Sequence, residues 1–283
     1  MPGIDLLTGG PSPALVVATA ATALDLYLAG ALWVGHRHPA NPVPLRRPTA
    51  FAAGLAALVL ALVGPIDAAA HASFAAHMAQ HLILIDLVAP LLLLAAPVTL
   101  LLRCCQPRIR LSIVGALHSR PARLLAGPIV GWTLFAAVMW WAHLGPLFEA
   151  SLESPAVHLL EHALFLAVAL WFWLPIVAAD PQPGRLGHGG RIACITLAMA
   201  PNLLLGWYLY SAGTVLYPHD LLVAPSAAAA LADQRLGGLV MWLGGDAVFS
   251  GAAVLVLWDW VRRERIRLRR VSERLAREAG ARG

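Results

Sequence analysis

Two pairs of histidines are the residues of this sequence best suited to chemistry. His77 and His81 stand four residues apart in the run HMAQH, and His158 and His162 repeat that spacing in HLLEH. On a helix, residues four apart share one face, so each pair presents two imidazoles side by side. Imidazole is a common ligand for copper, zinc and iron. The spacing therefore predicts a metal or haem site built from two helices.

Further candidate ligands lie near the same ends of the predicted helices. His143 ends one apolar stretch and His71 precedes His77 by one or two turns, so both are candidate metal ligands. Met78 adds a thioether, a soft ligand that suits Cu(I), although its position beside His77 turns it about 100° around the helix. Glu161 is displaced in a similar way, which makes it a candidate to orient an imidazole.

Acidic and amide side chains form a second group of candidates. Asp86 and Asp246 fall inside apolar stretches, where an ionisable group usually faces the bundle interior or a water-filled cavity and marks an ion path. Asp86 follows His81 by five residues, so it could stabilise a cation held above it. Asp233 and Gln234 open the last apolar stretch and are placed to reach the same histidines. A structural hydrogen bond between helices is the alternative role for the buried acids.

The elements that must position these residues are transmembrane helices. The 283 residues are 59% hydrophobic and only 12% charged, a balance that soluble domains do not normally show. Seven apolar stretches are each long enough to cross a hydrocarbon core of about 30 Å. They run approximately over residues 13–35, 48–66, 75–102, 123–143, 155–179, 191–213 and 235–260. The sequence therefore predicts an all-α, polytopic membrane protein, a bundle of seven transmembrane helices.

Prolines, glycines and tryptophans add detail to these stretches. Pro90 and Pro97 predict a kink or change of direction in the third stretch. Glycines of the seventh stretch, such as Gly238, predict the close approach of another helix. Trp171 and Trp173, near the end of the fifth stretch, are typical of the membrane interface.

The arginines set the predicted orientation. All 20 basic residues are arginines, and they fall almost entirely in alternate loops and after Trp260. By the positive-inside rule, the amino terminus lies outside and the carboxyl terminus inside. We therefore divide the chain into a seven-helix transmembrane domain, 1–261, and a basic cytoplasmic tail, 262–283. Contact of this tail with anionic lipid accounts for the net charge of +5 without nucleic acid as a partner.

This orientation places seven of the eleven histidines at or near the non-cytoplasmic face. They are His71, His77, His81, His143, His158, His162 and His219. His219 is the weakest candidate ligand of this set. The third, fourth, fifth and seventh helices are expected to meet around the others.

Four motifs together resemble the CtaG-type cytochrome c oxidase assembly proteins that are associated with caa-type oxidases in bacteria. They are HMAQH at 77–81 followed by Ala89-Pro90 and Pro97, Trp141 with HLGPLF at 143–148, HLLEH at 158–162 leading to WLP at 173–175, and Asp233-Gln234 with Gly237-Gly238 and Met241-Trp242. Gly145 and Phe148 depart from the family pattern, in which proline and often tyrosine are expected. The resemblance implies a multi-pass protein of the bacterial cytoplasmic (inner) membrane that is needed for active oxidase and takes part in delivering copper to it.

We therefore predict a copper-binding assembly factor that acts as a metallochaperone. We expect no enzyme, because the sequence contains no nucleophile-base arrangement or phosphate loop. Copper, as Cu(I) or Cu(II), is the expected metal, with haem or zinc less favoured. The expected partners are cytochrome c oxidase subunits, membrane lipid, a periplasmic copper chaperone and a second copy of the chain. Two alternatives stay open: a haem-binding membrane redox protein, and a copper or proton-coupled transporter with Asp86 and Asp246 along its route.

Overall fold

The computed structural model describes residues 12–177, 186–217 and 224–280. These residues are almost entirely helical and contain no strand, which confirms the all-α prediction. The α-helices are α1 (Pro13–Arg37), α2 (Arg46–Leu62), α3 (Pro65–Ala70), α4 (Phe74–Leu82), α5 (Ala89–Leu94), α6 (Pro97–Cys104), α7 (Pro107–Leu117), α8 (Arg120–Leu125), α9 (Pro128–Leu144), α10 (Pro146–Glu153), α11 (Pro155–Val177), α12 (His188–Ser211), α13 (Ala227–Leu239) and α14 (Gly245–Gly280). Two π-helical segments, Ile83–Val88 and Val240–Gly244, join α4 to α5 and α13 to α14.

The helices are those of a multi-pass membrane protein. Five helices in the described ranges are long and apolar enough to cross a membrane, and there are six if α9 and α10, which bend by 64°, form one span. The second predicted stretch corresponds to α2, which has 17 residues and is about 25 Å long. The count of seven and the orientation of the termini therefore stay predictions.

Proline begins half of the α-helices in the described part of the chain. Because proline lacks a backbone N–H and its φ is already helical, it fits the first position of a helix, where that N–H has no partner. The prolines in question are Pro13, Pro65, Pro97, Pro107, Pro128, Pro146 and Pro155. Two of them begin the helices that carry the candidate ligands His143 and His158.

Helix α4 is capped by its own serine and by another helix. The Ser73 hydroxyl accepts a hydrogen bond from the Ala76 backbone N–H at 3.2 Å. The Asp233 carboxylate of α13 accepts from the Ser73 hydroxyl at 2.8 Å and from the Phe74 backbone N–H at 2.6 Å. These bonds satisfy donors at the N-terminus of α4 that have no partner within the helix. They anchor the start of α4 one turn before His77.

The regular α-helix of the third apolar stretch is interrupted twice, each time next to one of its prolines. The π-helical segment Ile83–Val88 directly precedes the turn that contains Pro90. Further along, Ala96 adopts a left-handed backbone with φ of 50°, and α6 starts at the next residue, Pro97. The long stretch is therefore a helix with a widened turn followed by a break.

Trp173 of α11 satisfies a carbonyl in the widened turn. The Ala89 backbone N–H donates to the carbonyl of Leu84, five residues earlier. In the same pattern, the backbone N–H of the next residue would donate to the Ile85 carbonyl. That residue is Pro90, which has no N–H to donate. The indole of Trp173 donates to the Ile85 carbonyl instead, at 3.0 Å, and the ring is buried. Trp173 therefore lies in the core and not at the membrane interface, where we expected it.

Helix α4 and the π-helical segment after it lie among the other helices. Helix α11 packs against α9, α10 and α5, α13 packs against α4, and α12 packs against both α13 and α14. Helices α12 and α13 come close where Gly206 faces Gly238, because a Cβ at Gly238 would lie 2.6 Å from the Gly206 carbonyl oxygen. This contact confirms the predicted close approach at Gly238.

Candidate metal centre

The structure brings the two histidine pairs together between α4 and α11. The rings of His77 and His158 have centroids 4.9 Å apart, and those of His81 and His162 are 5.4 Å apart. All four side chains are buried, His77 and His81 to within 2% of complete burial. The four-residue spacing positions each pair on one face, and the packing of α4 and α11 turns those faces toward each other.

The nitrogens of the α4 pair have the spacing of two ligands on one ion. Nε2 of His77 lies 2.9 Å from Nε2 of His81. Two nitrogens that each stand about 2.0 Å from a shared metal are about 2.9 to 3.3 Å apart. The distance also fits a hydrogen bond in which one ring donates to the other, so the surrounding atoms must distinguish the two cases.

Glu161 lies among these imidazoles, closer to His77 and His81 than the sequence suggested. Its carboxylate Oε2 is 3.6 Å from Nε2 of His77 and 3.7 Å from Nε2 of His81, and the side chain is completely buried. His77, His81 and Glu161 each offer a ligand atom within 4.8 Å of the others, and so do His77, His158 and His162. Glu161 is therefore a candidate ligand in its own right, and His77 belongs to both ligand sets.

His143 of α9 is oriented so that one of its ring nitrogens can bind a ligand. Its Nδ1 lies 2.7 Å from the Met139 carbonyl, which can only accept, so Nδ1 carries the proton. The ring is buried beside His81, with centroids 6.1 Å apart. In metal sites the ligating histidine typically donates its other N–H to a carbonyl or carboxylate in this way. The bond leaves the Nε2 lone pair of His143 for a ligand.

Several buried polar atoms of this group have no hydrogen-bond partner. They are Nδ1 of His81, Nε2 of His143, His158 and His162, and both carboxylate oxygens of Glu161. A buried polar atom without a partner costs about 1 to 3 kcal/mol. Imidazole nitrogens and carboxylate oxygens are ligands for copper and zinc. The donor set therefore fits a metal ion, and we call His77, His81, His143, His158, Glu161 and His162 the histidine cluster.

Aromatic side chains close the cluster on two sides. Phe148 of α10 lies against His77, with ring centroids 5.1 Å apart, and Phe165 of α11 lies 4.6 Å from His81. Tyr217 packs on Phe148 and donates its hydroxyl to the His143 carbonyl at 2.8 Å. Sequence reasoning predicted none of the three at the site, although it noted Phe148 within the HLGPLF motif. Phe165 was detectable, because it continues the stripe of His158, Glu161 and His162 at helical spacing.

Three of the other predicted residues lie outside the histidine cluster. His71 is largely exposed and lies 3.9 Å from Asp67, although its ring approaches that of His158. Asp233 caps α4, and Gln234 accepts from the Leu216 backbone N–H at 2.7 Å. These contacts support the helix and loop around the cluster and bring no further ligand to it. His219 lies outside the described residues.

The remaining three predicted residues lie deeper along the helices. Met78 and Asp86 line a small cavity next to His81. Asp246 accepts a hydrogen bond from Nδ2 of Asn202 at 3.1 Å. Asp86 therefore lies near a histidine of the cluster, as predicted, because Asp86 and His81 line the same cavity.

Comparison with known proteins gives one family. The model of the family described as cytochrome c oxidase caa3 assembly factor (Caa3_CtaG) matches residues 26–263. This range includes every residue of the histidine cluster. No solved structure matches the chain significantly.

Curated mycobacterial proteins of uncharacterized function are similar to the chain. A protein of Mycobacterium tuberculosis is 31% identical over 254 residues, which are 86% of this chain and 38% of that protein. A protein of Mycobacterium leprae is 28% identical over 259 residues, which are 88% of this chain and 39% of the relative. The chain thus spans about two fifths of the length of these relatives.

Proposed function

The chain belongs to the Caa3_CtaG family of cytochrome c oxidase caa3 assembly factors, and from this premise we propose that it binds copper at the histidine cluster and delivers it to the oxidase. Membership implies that the protein associates with the oxidase. One observation carries the copper proposal: five imidazoles from three helices and the Glu161 carboxylate lie in one buried group with unpartnered ligand atoms.

Copper is the metal that best fits both the ligands and the family. A site of imidazole nitrogens with one carboxylate binds copper more tightly than other divalent first-row metals, zinc included. Oxidase assembly involves copper. Copper would be cargo here, held for transfer. The protein's own contribution is to orient the imidazoles and to exclude water, and no catalytic turnover is part of this proposal.

The geometry argues against a haem held between His77 and His81. Two axial imidazoles on opposite sides of a haem iron, each bonded at about 2.0 Å, stand about 4 Å apart. Nε2 of His77 and Nε2 of His81 are 2.9 Å apart on one helix face, which leaves no space for a porphyrin plane between them. A haem would instead need axial histidines from two different helices.

The proposed topology has seven spans, with α2 as the second. It puts the amino terminus outside the cytoplasmic membrane of a bacterium and the carboxyl terminus inside, on the support of the alternating arginines. The histidine cluster then lies beneath the non-cytoplasmic leaflet, where a periplasmic copper chaperone could load it. Residues 1–261 form the membrane domain, and the arginine-rich end of α14 forms the tail that contacts lipid.

A transporter is the second candidate function. Asp86 lines the cavity next to His81, and Asn202 lines the same cavity while donating to Asp246. These polar groups continue from the histidine cluster along the bundle, as an ion path would. Copper uptake into sealed vesicles that depends on Asp86 and Asp246 would favour transport over a static chaperone.

The delivery proposal is tested in cells that contain the caa3-type oxidase. Replacement of the chain by the His158→Gln, His162→Gln variant should leave oxidase protein in the membrane but lower its copper content and activity. Excess copper in the medium should partly restore both, because added metal bypasses a delivery step. A variant that supports full oxidase copper at limiting copper supply would contradict the proposal.

A further inference from the structure

A cavity lined by methionines lies against the histidine cluster. It has a volume of about 30 Å³, and Met78, Met139 and Met241 line it together with His81 and Asp86. The three methionine side chains are buried. The chain has only five methionines, and these three come from α4, α9 and the segment between α13 and α14. Three separate elements therefore contribute a methionine to the wall of one cavity.

The positions of these methionines are tied to the cluster. Met78 lies one turn before His81 on α4, and Met139 lies one turn before His143 on α9. The Met139 carbonyl accepts the Nδ1 hydrogen bond of His143, so the two residues are fixed to each other. Met241 belongs to a π-helical segment, the widened turn that is common at functional sites.

The other π-helical segment, Ile83–Val88, also lines this cavity. It carries Asp86, which is buried and whose Oδ1 has no hydrogen-bond partner. Nδ1 of His81 is likewise buried without a partner. Unpartnered polar atoms in an otherwise apolar wall are costly unless a ligand uses them. They are an observation independent of the methionines that also indicates a bound cation.

The chemistry of the cavity selects a soft monovalent metal. Thioether sulfur is a soft, uncharged ligand that favours Cu(I). A volume of about 30 Å³ accommodates one or two atoms of the size of water, which is enough for an ion and too little for an organic cofactor. A cation in such surroundings needs a nearby opposite charge, and the Asp86 carboxyl is placed to supply it.

We propose that this cavity is a second copper site, selective for Cu(I), with the sulfurs of Met78, Met139 and Met241 as ligands. His81 lines this cavity and is also a member of the histidine cluster. The inference rests on the proposed copper function and adds to it a site of different ligand chemistry.

The test is to load the full-length protein, purified in detergent, with Cu(I) under anaerobic conditions. Competition with a coloured Cu(I) chelator gives the copper bound per chain, and X-ray absorption at the copper edge gives the ligand atoms. The wild type should show both sulfur and nitrogen ligands. The Met139→Leu, Met241→Leu variant should lose the sulfur signal and part of the copper.

Leucine has nearly the volume of methionine, so each substitution should cost less than about 1.5 kcal/mol of stability. Met199→Leu is the matched control, because Met199 is partly buried in α12 and does not line the cavity. This control should keep both ligand types. Copper that remains bound through nitrogen in the double variant reports that the variant is folded. If the double variant fails to fold, the single Met241→Leu variant replaces it and should show a weaker sulfur signal.

The outcomes separate this inference from the proposed function. Copper bound through nitrogen alone in the wild type would overturn the methionine site and leave the histidine cluster standing. Copper bound through sulfur alone would support the methionine site and overturn the cluster. Sulfur-bound copper that persists in His158→Gln, His162→Gln would support two separate sites. A wild-type chain that binds no copper at all would overturn both.

Discussion

The Glu161→Gln substitution tests whether the buried carboxylate serves an ion. Glu161 is completely buried, and its Oε2 lies 3.6 and 3.7 Å from Nε2 of His77 and His81. An ion held by these nitrogens would therefore lie within about 4 Å of the carboxylate. Two unit charges at about 4 Å and an effective dielectric constant of about 20 interact by about 4 kcal/mol. Since about 1.4 kcal/mol is a factor of ten in affinity, Glu161→Gln should weaken copper binding by about 1,000-fold.

The same substitution should not harm the metal-free protein. Neither carboxylate oxygen of Glu161 has a partner within hydrogen-bond distance, so the neutral amide removes a buried charge and weakens only the longer contacts with Nε2 of His77 and His81. The melting temperature without copper should stay the same or rise, while the increase on adding copper should shrink. The measurements are chelator competition and thermal unfolding in detergent. Glu153→Gln, at an exposed position on α10, is the control and should change neither.

A different pattern would refute this reasoning about Glu161. If Glu161→Gln lowers the melting temperature without copper and leaves copper affinity unchanged, the carboxylate is a structural group. A loss of only about 10- to 100-fold in affinity would instead match a residue that orients the imidazoles.

Three further outcomes are expected. Asp233→Ala should lower stability by about 1 kcal/mol in thermal unfolding, because it removes the cap of α4 at Ser73 and Phe74; an unchanged melting temperature would contradict this. Gly237→Ala should cost about 1 to 3 kcal/mol, since its Cβ would overlap the Phe74 ring, whereas Gly251→Ala meets nothing within 4 Å and should be neutral in the same assay. Copper affinity measured by chelator competition should fall as the pH is lowered through the acidic range, because protons compete for the imidazole nitrogens, and an affinity that stays the same from about pH 7 to about pH 3 would exclude imidazole ligands.

Local spacing made much of the centre predictable. Residues four apart on a helix share a face, so the two histidine pairs could be identified without coordinates. The arginine pattern predicted that these pairs share one side of the membrane, and the structure does bring the pairs together with His143. The interruptions of the α-helix next to Pro90 and Pro97 were likewise predictable from the chemistry of proline.

What sequence could not supply was the way that helices face one another. Glu161 is next to His162 in the chain, and only the packing of α11 against α4 turns it between two imidazoles. His71 was expected near the ligands. It lies in the turn between α3 and α4, however, and the His71 side chain is exposed. The burial of Trp173 depends on a carbonyl that only the π-helical turn leaves open. Each of these features depends on contacts between distant segments.

Copper analysis of the purified full-length protein, compared with its His77→Ala, His81→Ala variant, tests the central claim most directly. The account predicts that the wild type retains copper through nitrogen ligands and that the variant loses the ion held by the histidine cluster. Equal copper content in the two proteins would contradict the account, because the convergent imidazoles would then have no part in binding the metal.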